Sequence, residues 1–212
     1  MKTIISTKNN ISSIKTRMLV SIAMLSAISV VLSYLEITPP LSPPFVKLDI
    51  SDFPAMLAAF TFGPLAGVGV QFIKNIIGLI STATGGIGEL ANFIIGASMA
   101  FSAGVIYKHR KTIKGALFSL VIGSIVMSVV GSAANYFILL PLYSNFMPMD
   151  AIIEAFGAFI PVIKTKLDII IYSSLPFNLV KGVLNSTVTF MLYKRLRKGG
   201  FHNEQKTAST IS

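Results

Sequence analysis

The sequence predicts an all-α integral membrane protein, a six-transmembrane-helix bundle with its N- and C-termini cytoplasmic. Three observations carry that prediction. The 212 residues are 53% hydrophobic and 12% charged, whereas soluble chains carry about 25% charged residues. Apolar segments follow one another along the chain, each near the roughly 20 residues a spanning helix needs. Basic residues gather at segment ends rather than along one soluble face, so the net charge of +10 signals membrane orientation and not nucleic acid. The chain has no cysteine, which excludes disulfides, iron–sulfur clusters and thiolate chemistry.

The first helix covers about residues 18–35. The stretch before it is polar and basic. The apolar run is too long for a signal-peptide core and lacks a small-residue cleavage site, so it reads as a retained helix. The loop "EITPPLSPPFVKLDISDFP" follows, and Pro39, Pro40, Pro43 and Pro44 prevent continuous helix there. Phe53 to Ile80 is long enough for one helix or for two broken at Gly63-Pro64.

Charge decides between them. Three clusters read as cytoplasmic: Lys2, Lys8, Lys15 and Arg17; Lys108, Arg110, Lys111 and Lys114; Lys194, Arg195, Arg197 and Lys198. Only a division at Gly63 puts all three on one side together with both termini. The expected helices are then about 18–35, 53–63, 64–80, 90–107, 115–140 and 169–193, a single domain over 1–198. A polar cytoplasmic tail, 199–212, is expected to be disordered. The short second helix implies tilt, or an outer end shielded by the Pro-rich loop rather than by lipid. Glu36, Asp49, Asp52, Glu89, Asp150, Glu154 and Asp168 all fall in outer loops or at their edges.

Within the last helix, Asn178, Lys181 and Asn185 share one face by their spacings of three and four. A charge at such a depth costs about 2.5–3.5 kcal/mol even on the mildest insertion scale. Asn135, Lys74, Asn75 and Asn92 lie at similar depth in other helices. Lys74 is as well explained by snorkelling to the interface, and Asn92 and Asn185 by bonds between helices. For Lys181 both interfaces are distant, and no acid lies within a span to pair with it. Its expected partners are backbone carbonyls, Asn oxygens or an arriving ligand. Pro176 leaves the Tyr172 carbonyl as a further acceptor.

Amides beside an ammonium suit a neutral solute bearing carbonyls and an N–H. They do not suit a metal, and His109 and His202 stand isolated. Phe45, Phe53, Tyr136 and Phe177 are candidates for the apolar remainder of a pocket. No P-loop, nucleophile elbow or His–carboxylate pair is present, so enzyme readings lack support and any energy must come from another subunit.

Four stretches carry a resemblance: "FVKLDISDFPAMLAAFTFGPLAGVGVQFIKN", "GELANF", "NYFILLPLY" and "PFNLVKG". Over about Arg17 to Lys198 the chain resembles the substrate-binding (S) components of energy-coupling factor (ECF) transporters, in particular the riboflavin-binding type. The resemblance implies a multi-pass six-helix bundle in a bacterial cell membrane. It implies riboflavin, or its phosphate FMN, as transported ligand rather than cofactor. The implied partners are an ECF transmembrane coupling subunit and two ATP-binding subunits, besides membrane lipid. By the same resemblance Asn178 and Lys181 hold polar edges of the flavin ring, Asn135 assists, and Leu90 makes a backbone contact. The Pro-rich loop would act as a lid over the ribityl chain. Ala23 and Ala27, small residues four apart in the first helix, would meet the coupling subunit, although Ala55 and Ala59 repeat the spacing. Glu89 and Lys74 receive no role. Residues alone leave open an S component for another vitamin (thiamin, biotin or a precursor), a self-sufficient facilitator, or a structural membrane protein.

Overall fold

The computed structural model describes residues 2–38 and 47–198. The prolines and Phe45 of the expected lid, and the tail 199–212, lie outside the described residues. Those described are helical throughout, apart from loops and one isolated antiparallel bridge, Ile37 to Leu48.

Helix α1 spans Lys2–Ser33, starting well before the apolar stretch because no Pro or Gly interrupts residues 2–17. Next come α2, Phe53–Phe62, and α3, Pro64–Gly78. Helix α4 is Ile87–His109. Helix α5 joins Ile113–Ala134, a π-helical stretch Asn135–Leu139, and Leu140–Tyr143. A short α6, Met149–Gly157, lies in the following loop. Helix α7 joins Lys166–Asp168, a second π-helical stretch Ile169–Ser174, and Leu175–Lys198. Among the described residues, five helices are long and apolar enough to cross a membrane, and α2 is a shorter apolar one.

Helix α2 forms the centre. Its sequence "FPAMLAAFTF" is apolar all round, the pattern of a helix that meets protein on every side. Pro54 suits its first turn, where an N–H would lack a partner anyway. Gly63, at φ 101°, supplies the left-handed turn that Pro64 follows into α3. Ala55, Met56, Ala58 and Phe60 pack on Val70 of α3, Met99 and Tyr107 of α4, Leu120 and Met127 of α5, and Tyr193 of α7. The Ala55 and Ala59 spacing serves this internal packing: a Cβ on Gly67 would stand 2.7 Å from the Ala55 carbonyl oxygen and 2.8 Å from Ala59 Cβ. The same spacing on α1 has the opposite surroundings, for Ala23 and Ala27 are exposed while Ser26 and Ser29 turn inward.

The two π-helical stretches touch each other, and both precede a Leu-Pro pair, Leu140-Pro141 and Leu175-Pro176. A proline withholds one N–H from the ladder, and here the residue before it donates five positions back, Leu140 to Asn135 and Leu175 to Ile170. Pro176 was expected to leave the Tyr172 carbonyl as the extra acceptor. The carbonyl that receives a donor from another helix is that of Leu175, from the Ser128 hydroxyl at 2.7 Å.

Candidate binding site

One stripe of α7 carries Ser174, Asn178, Lys181, Asn185 and Thr189, all buried. Spacings of four, three, four and four hold them on a single helical face. Two polar clusters are built on this stripe.

The upper cluster joins α5 and α7 at the π-helical stretches. Asn135 Nδ2 donates to Ser174 Oγ at 2.6 Å, and Asn178 Nδ2 reaches the same oxygen at 3.4 Å. The structure therefore brings Asn135 and Asn178 together through a serine. Gly131 makes room for the Asn178 amide: a Cβ there would stand 2.7 Å from Asn178 Nδ2 and 3.0 Å from Ile95 Cγ1. Gly131→Ala is accordingly expected to push the Asn178 amide aside and to weaken ligand binding about tenfold, near the net value of one hydrogen bond. Fluorescence titration of the purified protein reads this; unchanged affinity would show that Asn178 tolerates the shift.

The lower cluster answers what an ammonium does at this depth. Lys181 Nζ donates to Asp49 Oδ2 and to Asn92 Oδ1, each at 2.9 Å. Lys74 Nζ donates to Asp52 Oδ1 at 2.7 Å and to Ser51 Oγ at 3.0 Å. Gln71 Nε2 adds a bond to Asp52 Oδ1 at 2.8 Å. Asn185 clasps the loop backbone with both ends of its amide: Nδ2 donates to the Asp49 carbonyl at 3.1 Å, and Oδ1 accepts from the Asp52 N–H at 3.0 Å. Both lysines and both aspartates are buried, and the two positive charges face two negative ones.

Several expectations are corrected here. The partner of Lys181 includes a carboxylate, Asp49, which comes from the loop and not from a span. Asp49 and Asp52 are not at the water-facing edge but inside the bundle. Lys74 does not snorkel; it is buried in an ion pair. Asn185 bonds the loop backbone rather than another helix. Asn92 does join two helices, through Lys181. The missed residues, Asp49, Asp52 and Gln71, had one signal in the sequence. A helix of ten residues rises about 15 Å, half of a hydrocarbon core of about 30 Å. The chain that enters it must therefore reach mid-depth, and non-helical backbone is tolerated there only when protein covers it.

Leu90 sits in the first turn of α4, 40% exposed, with its N–H committed to the Gly86 carbonyl at 3.0 Å. Among the described residues no hydrogen bond ties it to the stripe. Glu89 accepts from Thr82 Oγ1 at 2.8 Å, and that oxygen in turn accepts from the N–H groups of Thr84 and Gly86. It braces the turn into α4. Phe53, Tyr136 and Phe177 are all half-buried, and Lys166 Nζ lies 4.1 Å from the centre of the Tyr136 ring. Among the described residues no three His, Cys, Asp or Glu side chains gather to hold a metal ion.

The family model for the substrate-specific component of ECF transporters matches residues 17–193. The chain belongs to that family. This S component is 39% identical to the riboflavin transporter RibU of Staphylococcus aureus (strain TCH60) over 86% of its own length and 91% of the relative's. It is 33% identical to the riboflavin transporter FmnP of Bacillus subtilis (strain 168), over 86% and 93%. Its structure matches that of a solved S component of a bacterial ECF transporter with a TM-score of 0.70, at 38% identity, covering 87% of this chain and 97% of the other. The family consists of substrate-binding parts of transporters, not catalytic enzymes.

Proposed function

We propose that this S component binds riboflavin from outside a bacterial cell and delivers it inward together with an ECF coupling subunit and two ATP-binding subunits. The observation that carries the reading is the likeness to the Staphylococcus aureus riboflavin transporter across nearly the whole of both chains. Site chemistry supports it. Isoalloxazine has a flat apolar body and one edge of carbonyls and an imide N–H. The amides of Asn135 and Asn178 offer donors and acceptors to such an edge. An ammonium has three N–H groups, and Lys181 spends two on Asp49 and Asn92, which leaves one for a ring carbonyl. Leu90 lies at the outer end of α4, where its backbone would meet the ring.

We infer six spans, with α2 a half-span completed by the loop before it, and both termini in the cytoplasm. Chain topology supports this: the basic residues around Lys108 and Arg195 close α4 and α7, and Lys15 and Arg17 stand at the start of the apolar part of α1, all at the ends opposite the loop that carries Asp49. The S component hydrolyses no ATP itself.

An absorption spectrum of protein purified from cells grown with riboflavin tests the ligand. Near one flavin per chain is expected, and a colourless protein that leaves added riboflavin fluorescence unquenched would overturn the reading. Asn178→Ala is expected to weaken binding by about 1–3 kcal/mol, the cost of buried partners left unpaired. An unchanged dissociation constant would remove Asn178 from the site.

A further inference from the structure

The carboxylate of Asp49 is not needed to hold the loop in place. Asn185 already grips the backbone on both sides of Ile50. The Ser29 hydroxyl on α1 donates to the Ser51 carbonyl, and the Lys74 ion pair fixes Asp52. The Asp49 carboxylate is itself locked, with Oδ1 accepting from the Ser51 N–H at 2.8 Å and from the Ser51 hydroxyl. What remains for its free oxygen, Oδ2, is Lys181.

A lysine ammonium on its four-carbon stem has no direction of its own and loses rotamer freedom when it is fixed. Here two acceptors from different elements fix it from two sides, Asp49 from the loop and Asn92 from α4. A third acceptor, Asp52 Oδ2, stands 3.9 Å from Nζ and makes no hydrogen bond. The last N–H of Lys181 is thus aimed by acceptors from two different elements while its own partner is still open, whereas Lys74 spends both of its bonds on the loop alone.

We propose that Asp49 is a specificity-determining positioning residue. With Asn92 it consumes two N–H groups of Lys181, so that the third is presented to one carbonyl of the ligand edge. This rests on the reading of the stripe as the flavin site. A donor held in this way discriminates, because a ligand lacking a good acceptor at that point leaves it unpaired.

The test compares riboflavin with 2-thioriboflavin and 4-thioriboflavin, in which a ring carbonyl becomes a poorer acceptor, on the purified full chain by fluorescence quenching. The wild-type protein is expected to prefer riboflavin over one of the two by about tenfold or more. In Asp49→Asn, which keeps every backbone tie of the loop, that preference should collapse severalfold. In Asn92→Ala, which leaves the ion pair alone, it should fall in the same direction. Equal weakening of all three ligands in both variants would mean a merely structural role and would overturn the proposal, as would an unchanged preference. A wild-type protein that binds all three alike would overturn it too, since no carbonyl would then be read. Failure of wild-type protein to bind any of the three would instead remove the flavin reading on which it rests.

Discussion

Lys74→Met should lower the stability of the S component by about 3–5 kcal/mol, the penalty for breaking a buried ion pair from one side. The pair is buried almost completely, at 3% and 2% side-chain exposure for Lys74 and Asp52. Loss of the ammonium leaves Asp52 with one neutral donor on Oδ1, from Gln71, and with Oδ2 already unpartnered. The double change Lys74→Met with Asp52→Asn should recover most of the loss, because both charges then leave together and the new amide still accepts from Gln71. Thermal unfolding midpoints in one detergent give the comparison. If the double variant is as unstable as the single one, the cost lies in packing and not in charge. A loss below about 1 kcal/mol would mean that Lys181, 3.9 Å from Asp52 Oδ2, moves across to neutralise it. Lys181→Ala is the poorer probe for this question, and also for ligand contact, since it strands Asp49 and empties the proposed site in one step.

The parts of this molecule legible in its sequence are those set by one-dimensional patterns. Hydropathy and length give the membrane helices. The 3.6-residue period places Asn178, Lys181 and Asn185 on one face, and in the structure they share a buried stripe. The partners across that stripe were not legible, because Asp49 precedes Lys181 by 132 residues and stands in what reads as an aqueous loop. Acidity and proximity to four prolines argued for water. Against that stood one length, the ten residues of α2, too few to cross a hydrocarbon core of about 30 Å. The π-helical stretches were half legible: each Leu-Pro pair marks a broken ladder, but the one-residue shift that mends it depends on how α5 and α7 pack.

The loop before α2 also ties α3 to α7. Asp49 and Asp52 belong to the segment that leads into the Pro-rich stretch, and they bond to α3 and α7 in the middle of the bundle. Buried charge pairs of this kind add little net stability over well-packed apolar residues. The Lys74–Asp52 pair, together with the Asn185 clasp on the backbone, sets the register. A slip of one residue in the loop would strand all four charges at once, so the loop has one way to enter.

Ala23→Trp should abolish riboflavin uptake by the assembled transporter while leaving flavin binding by the isolated S component unchanged. Two pairs of alanines have the same spacing, and the structure separates their uses. Ala55 and Ala59 are spent inside, against Gly67. Ala23 and Ala27 are exposed on α1 among Val20, Met24 and Val31, at 51%, 62% and 64% exposure, with no element among the described residues over them. Small residues four apart let a second helix approach closely, and an indole there holds the helices apart. The polar stripe is unaffected, for among the described residues the polar tie from α1 to the loop against that stripe is the Ser29 hydroxyl, which is buried and turned away from the exposed alanines. The chain contains no tryptophan, so the new side chain is also its own reporter. Its emission should be that of a lipid-exposed indole in the isolated S component. Normal uptake by the variant would place the coupling face elsewhere, and lost flavin binding would mean that the Ala23 side of α1 also supports the site.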